Sequence, residues 1–195
     1  QPGDRIIVSH GNSAAFFSDL LAIWLLGACA ICVNPLLSIS ELRNVSKFVR
    51  PKLLIAGDNP ISSLGVPVLS NLWDFRIRKL TQLPLLSDIR LDSEALVLFT
   101  SGTTGIPKGV VLNFRGLFAR LSINQFMIGE ATLKKTLCPL PTHFGHGLIG
   151  NCLSTLTCGA DLFLYPINTV NSSVLIGEYI DEHEITFLSS VPSLW

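Results

Sequence analysis

Leu98-Phe-Thr-Ser-Gly-Thr-Thr-Gly-Ile-Pro-Lys-Gly-Val110 packs three glycines, four hydroxyl side chains and one lysine into a single short stretch. Short apolar runs flank it, Leu96–Phe99 before and Gly109–Leu112 after, and both read as buried strands. Gly102 and Gly105 let the backbone turn tightly and aim N–H groups at an anion. Thr100, Ser101, Thr103 and Thr104 add hydroxyl donors, and Lys108 adds a positive charge. A loop of this composition suits phosphate. It is not the common P-loop, in which a G-K-[ST] triplet opens a helix. Here Ile106 and Pro107 separate Gly105 from Lys108, and an apolar strand follows. The bland reading is an ordinary Gly/Ser/Thr hairpin, but the full string is far more specific than that.

Working outward, the amino-terminal third alternates strands and helices. Arg5–Ser9 reads as a strand. Asn12 or Ser13 caps a helix running to about Gly27, with Phe16, Leu20, Ile23, Trp24 and Gly27 at helical spacing. Ala30–Val33 is a second strand, and Ser38-Ile-Ser-Glu41 is a capping box. The helix after it places Leu42, Val45, Phe48 and Val49 on one face and ends before Pro51. Lys52–Ala56 is a third strand, closed by Gly57-Asp-Asn-Pro60. This order predicts an α/β fold with parallel-rich sheets flanked by helices. Residues 57–93 read as an irregular connection with a short strand over Val66–Leu69. Beyond the glycine-rich loop, the pattern predicts helices over Phe114–Phe126, Gly147–Leu156 (or an apolar connection there) and Val170–Glu182. The last of these turns Leu175, Ile176, Tyr179 and Ile180 inward. Strands fall at Thr136–Cys138, Ala160–Leu164 and Ile185–Ser189.

Composition bounds the rest. With 14 basic and 14 acidic residues in 195, the net charge is zero, which speaks against a nucleic-acid partner. A mean hydropathy of +0.50 points to a mostly buried sheet core or to surfaces covered by further chain. Leu20–Val33 is uncharged but too short for a membrane span, and Thr136–Ala160 is broken by prolines and glycines. Cys29-Ala-Ile-Cys32 has redox or zinc spacing, yet no second such pair exists, so packing as small hydrophobes is the better reading. Five cysteines in a low-charge chain fit a reducing, cytoplasmic setting.

The string 98–110 resembles the signature of the AMP-forming adenylating enzymes: acyl- and aryl-CoA synthetases, luciferases and the adenylation domains of peptide synthetases. Gly3-Asp-Arg-Ile, Ala28-Cys-Ala-Ile-Cys-Val-Asn-Pro35 with Ser40-Glu-Leu, Glu94-Ala-Leu-Val-Leu-Phe-Thr, Cys158-Gly-Ala-Asp-Leu-Phe-Leu and Ser190-Val-Pro-Ser-Leu resemble further family passages. The chain departs from the pattern twice. Asn113-Phe-Arg115 lacks a histidine the family often has there. The family's P-L-F-H-x-x-G corresponds to Pro139-Leu-Pro-Thr-His-Phe-Gly-His-Gly147, which shifts His143 by one position and puts Phe144 in the motif histidine's place. His146-Gly-Leu-Ile149 matches a variant seen in some acyl-CoA synthetases.

The resemblance implies ATP-dependent activation of a carboxylic acid to an acyl-adenylate, then transfer to coenzyme A or a carrier-protein thiol. Thr100, Ser101, Gly102, Thr103, Thr104, Gly105 and Lys108 would meet the ATP phosphates, and His143, Phe144, Gly145, His146 and Gly147 would line the acid pocket. Mg²⁺ would accompany ATP, with no metal ligand in this stretch. The family's catalytic lysine lies in a C-terminal lid, and its YG.TE segment and ribose-binding aspartate also follow the Val-Pro turn. Residues 1–195 are thus expected to be part of the large domain, completed by a missing remainder of the same chain and inactive alone. Within it, 1–56 would be a strand–helix–strand–helix–strand unit, 57–93 a connection, and 94–195 the phosphate-loop and acid-pocket portion. No carboxylate lies between Thr136 and Ala160 to pair with an ammonium, so an aryl or fatty acid is expected over an α-amino acid. Two other readings stand beside this one: a peptide- or polyketide-synthetase adenylation domain, and a non-catalytic nucleotide-binding or interaction module.

Overall fold

The computed structural model describes residues 1–57, 64–70, 90–100, 108–165 and 172–194. The chain forms two compact units, Gln1–Arg115 and Gly116–Trp195.

The first unit is built on β1 (Arg5–Ser9), α1 (Ala14–Leu25), β2 (Cys29–Cys32), α2 (Ile39–Val49), β3 (Leu53–Ala56), β4 (Val68–Ser70), β5 (Glu94–Thr100) and β6 (Lys108–Asn113). Its sheet runs β4-β3-β1-β2-β5-β6, parallel throughout except for the antiparallel β5–β6 pair. The strand sequences are apolar at consecutive positions because helices cover both faces. Ile7, Ile31, Leu54 and Val97 stand in register across four strands. They pack with Leu42, Val45 and Val49 of α2. α1 buries Phe16, Phe17, Leu20 and Ile23, and the Trp24 indole N–H donates to the Ala95 carbonyl at 2.7 Å.

Local signals set the helix ends. The Ser13 hydroxyl caps α1 by accepting from the Phe16 N–H. The expected capping box on α2 is complete, with Ser38 and Glu41 exchanging hydrogen bonds. α2 ends at Arg50 in the left-handed conformation, one residue before Pro51. At the base of the sheet, the Arg5 guanidinium grips Glu94 through two bonds of 2.8 and 2.7 Å, tying β1 to the start of β5. That grip holds the Glu94 carboxyl below its ordinary range.

The second unit opens within α3 (Phe114–Ile128) and continues through α4 (Glu130–Leu133), β7 (Lys135–Cys138), a π-helix (His146–Leu153), α5 (Ser154–Leu156), β8 (Asp161–Leu164), α6 (Ser172–His183) and β9 (Phe187–Leu188). Its three strands lie parallel in the order β8-β7-β9. Ile176 of α6 is buried with Leu137 and Tyr165, and Tyr179 and Ile180 pack against them.

Four sequence expectations change. Phe48 and Leu175 carry helical spacing yet stand exposed, and Ser46 takes the buried place on α2 instead. β6 is mostly exposed, not buried like β5, because it is the sheet's edge strand. The stretch predicted as a helix or connection over Gly147–Leu156 is a π-helix followed by a short α-turn. The final strand is two residues long, not five. The predicted turn over 58–60 lies outside the described residues.

The Cys29/Cys32 pair sits wholly within β2, and both residues are buried. Side chains three apart on a strand point to opposite faces, so these two thiols cannot close on one ion. Burial pushes the Cys29 thiol up to about 12 and the Cys32 thiol higher still. Among the described residues, no helix is long and apolar enough to cross a membrane.

Candidate functional site

Two features carry chemistry, one in each unit. In the first unit, β5 and β6 form a hairpin whose last cross-strand pair is Thr100 and Lys108. The Thr100 hydroxyl donates to the Lys108 carbonyl at 3.4 Å, closing the neck of the loop. Both residues are exposed. Lys108 has no carboxylate partner among the described residues. Ser101, Gly102, Thr103, Thr104 and Gly105 lie outside the described residues. The neck stands at the carboxyl end of β5, parallel to β2 and β1, the edge at which open α/β sheets bind ligands. At that edge Lys108 is a cation with no carboxylate partner among the described residues, beside the Thr100 hydroxyl.

The second feature is a cavity of about 540 Å³ in the carboxyl-terminal unit. α3 supplies Arg120, Asn124 and Ile128 at i, i+4 and i+8, so one helix stripe forms a wall. The π-helix and the Gly145 that precedes it supply a second wall, with His146, Ile149, Gly150 and Asn151, and Phe187 and Ser189 complete the lining at the end of β9. His146 Nε2 and Ser189 Oγ share a hydrogen bond at 2.7 Å. The Asn151 amide donates to the Ser189 carbonyl at 2.8 Å while the residue is fully buried. These two bonds fix the wall between the π-helix and β9. A π-turn is wider than an α-turn and recurs at functional positions. Here Gly150 is tucked close to the His146 ring, where an added Cβ would stand 3.2 Å from its Cδ2.

Of the five pocket residues expected from sequence, Gly145 and His146 line this cavity. Gly147 is buried against the preceding turn, where a Cβ would stand 2.6 Å from the Pro141 carbonyl oxygen and 3.0 Å from Leu140 Cβ. Its glycine is a packing requirement. Gly147→Ala is therefore expected to cost about 1–3 kcal/mol by forcing backbone to move. Thermal unfolding measures it, and an unchanged Tm would remove this reading.

His143 and Phe144 sit just before the π-helix with ring centroids 4.5 Å apart, and Phe144 is half-exposed. Neither is among the residues lining the cavity. Burial lowers the His143 pKa below its ordinary 6.5. Below that value the unfolded chain takes up a proton that the folded state resists, so His143 makes stability fall as pH drops through 6.5 and below. The difference in Tm between the wild type and His143→Gln should therefore shift against the wild type from pH 7.5 to pH 5.5. A constant difference would show that His143 is not held neutral.

Arg120, Asn124, Phe187 and Ser189 had no motif to mark them. The one available trace was the polar stripe at 120 and 124 on a helix whose other positions are largely apolar.

The model of the AMP-binding enzyme family matches residues 1–195. The chain is 28% identical to 4-coumarate--CoA ligase 3 of Arabidopsis thaliana over 98% of its own length and 37% of the relative's. It is 28% identical to the mitochondrial malonate--CoA ligase ACSF3 of Xenopus laevis over 84% of its length and 30% of that protein's. Among solved structures, the O-succinylbenzoate coenzyme A synthetase (MenE) of Bacillus subtilis, in complex with ATP and magnesium ion, superposes with a TM-score of 0.82 at 22% identity. That match covers all of this chain and 52% of the other, and it shows the shared fold. The chain thus spans about half of that structure and under two fifths of either curated relative.

Proposed function

We propose, for a chain that belongs to the AMP-binding enzyme family, that the protein it forms part of activates a carboxylic acid with ATP. The supporting observation is the antiparallel β5–β6 pair, whose last cross-strand pair is Thr100 and Lys108, both exposed, with no ion-pair partner for Lys108 among the described residues. In the proposed step a carboxylate oxygen attacks the α-phosphorus. The new O–P bond forms as the α–β anhydride bond breaks, giving acyl-adenylate and pyrophosphate. The acid is already ionised at neutral pH and needs no general base. Catalysis then consists of holding two anions together and neutralising charge that spreads over phosphate oxygens. Lys108 and the hydroxyls and N–H groups of Thr100 to Gly105 are assigned that role toward the β- and γ-phosphates.

Magnesium would enter with ATP, shielding the phosphates so that the carboxylate can approach. The acid is assigned to the cavity of the second unit, bounded by Gly145 and His146, with the neighbouring His143, Phe144 and Gly147 shaping its entrance and backbone. An aryl or fatty acid is the proposed substrate class. The second step is thiol attack on the acyl carbon with release of AMP, with coenzyme A as the proposed acceptor. In this reading residues 1–195 are a portion of the adenylation domain and are inactive alone, because the resemblance assigns the catalytic lysine to a lid segment they do not contain. The test is acid-dependent ATP–pyrophosphate exchange by the full-length protein over a panel of carboxylic acids. Exchange with no acid on the panel would overturn the reading.

A further inference from the structure

We infer that the acid taken by this protein carries a second anionic group, remote from the reacting carboxylate, and that Arg120 receives it. This rests on the proposal that the cavity of the second unit is the acid site. Among the described residues that line that cavity, Arg120 is the one arginine or lysine and no carboxylate is present. Among the described residues Arg120 has no ion-pair partner, whereas Arg5 and Arg115 are each clamped on a carboxylate, Glu94 and Asp92. A guanidinium at a cavity wall with all its donors available is shaped for a planar, bidentate anion.

The cavity is graded along its length. Arg120, Asn124 and Ile128 follow one stripe of α3, which spans about 12 Å at 1.5 Å per residue. A cation stands at one end of the stripe, an amide follows, and an apolar side chain stands at the other end, with Ile149 also on the lining. The complementary ligand has an apolar body and one anionic end. A purely apolar acid would leave this guanidinium, exposed at the cavity wall, without an anionic partner. The Asn151–Ser189–His146 bonds hold the second wall in one shape, so the ligand's end group meets a fixed surface.

The experiment uses the full-length protein and two matched pairs of acids, hexanoate with adipate and benzoate with isophthalate. Direct binding is measured by calorimetry and KM by ATP–pyrophosphate exchange. The expected result is a preference of roughly tenfold or more for the diacid in at least one pair, the size of a charge-assisted hydrogen-bond pair. Arg120→Met should erase that preference, raising the diacid KM about tenfold more than the monoacid KM. Arg120→Gln, which keeps part of the stem, should do the same, and unchanged Tm values qualify both variants. A wild-type preference for the monoacid in both pairs overturns the inference without any variant. An equal loss for both members of a pair also overturns it, because Arg120 would then be meeting the reacting carboxylate. Arg120-dependent diacid binding without exchange would leave the inference standing and sink adenylation instead. Exchange with monoacids alone would do the reverse.

Discussion

Lys108→Ala in the full-length protein is expected to lower acid-dependent ATP–pyrophosphate exchange by about 10²–10³-fold, the usual cost of deleting one preorganised donor to developing charge. The expected change in stability is small. Lys108 is exposed at the hairpin neck and has no ion pair among the described residues, so its side chain holds none of the described fold together. The backbone pairing with Thr100 does not depend on it, because Thr100 donates to the Lys108 carbonyl. Because the lost interaction belongs to the transition state, the fall should lie mainly in kcat. Lys108→Arg should restore part of the rate by keeping the charge. A sharply lowered Tm with exchange intact would make this an ordinary hairpin in which Lys108 serves only the fold.

The second large effect concerns the acid. An α-amino acid should be activated at least about a hundredfold less efficiently than an aryl or acyl acid of similar size, equivalent to about 3 kcal/mol or more. An ammonium entering the cavity would find no carboxylate among the described residues of its lining to pair with. The comparison is kcat/KM across a panel that includes phenylalanine against 3-phenylpropanoate. Strong exchange with the amino acid and none with the deaminated acid would show that the cavity has been assigned the wrong ligand. Phe144→Asp, a carboxylate placed beside the π-helix, should narrow the gap. Phe144 is half-exposed and tilted against the His143 ring, so the narrowing should be partial.

How far these conclusions were legible in the sequence depends on the range of the interactions behind them. The capping box at Ser38–Glu41, the Ser13 cap and the period of α1 are decided within a turn or two of helix, and each is found where the residues predict it. The strands β1, β2 and β3 are dense in β-branched and small apolar residues and announce themselves locally. The segment after Phe99 stands out in the sequence because its glycines, hydroxyls and lysine lie close together, and residues 101–107 of it lie outside the described residues.

Other features have no local cause. The order β3-β1-β2-β5 places Val97 beside Ile31 across more than sixty residues, and only packing against α2 selects that register. Phe48 and Leu175 obey helical spacing but miss the core, because spacing defines a face without saying what lies opposite it. The π-turn at His146–Leu153 follows from the closeness of Gly147 to the Leu140–Pro141 backbone and from hydrogen bonds to Ser189, none of which the motif encodes. The candidate acid cavity is likewise a product of folding. Arg120, His146 and Ser189 come from three separated segments, and no spacing rule joins them. Short-range propensity wrote the elements and the glycine-rich motif into the chain. Burial of their apolar faces, a property of the whole unit, chose which polar side chains meet.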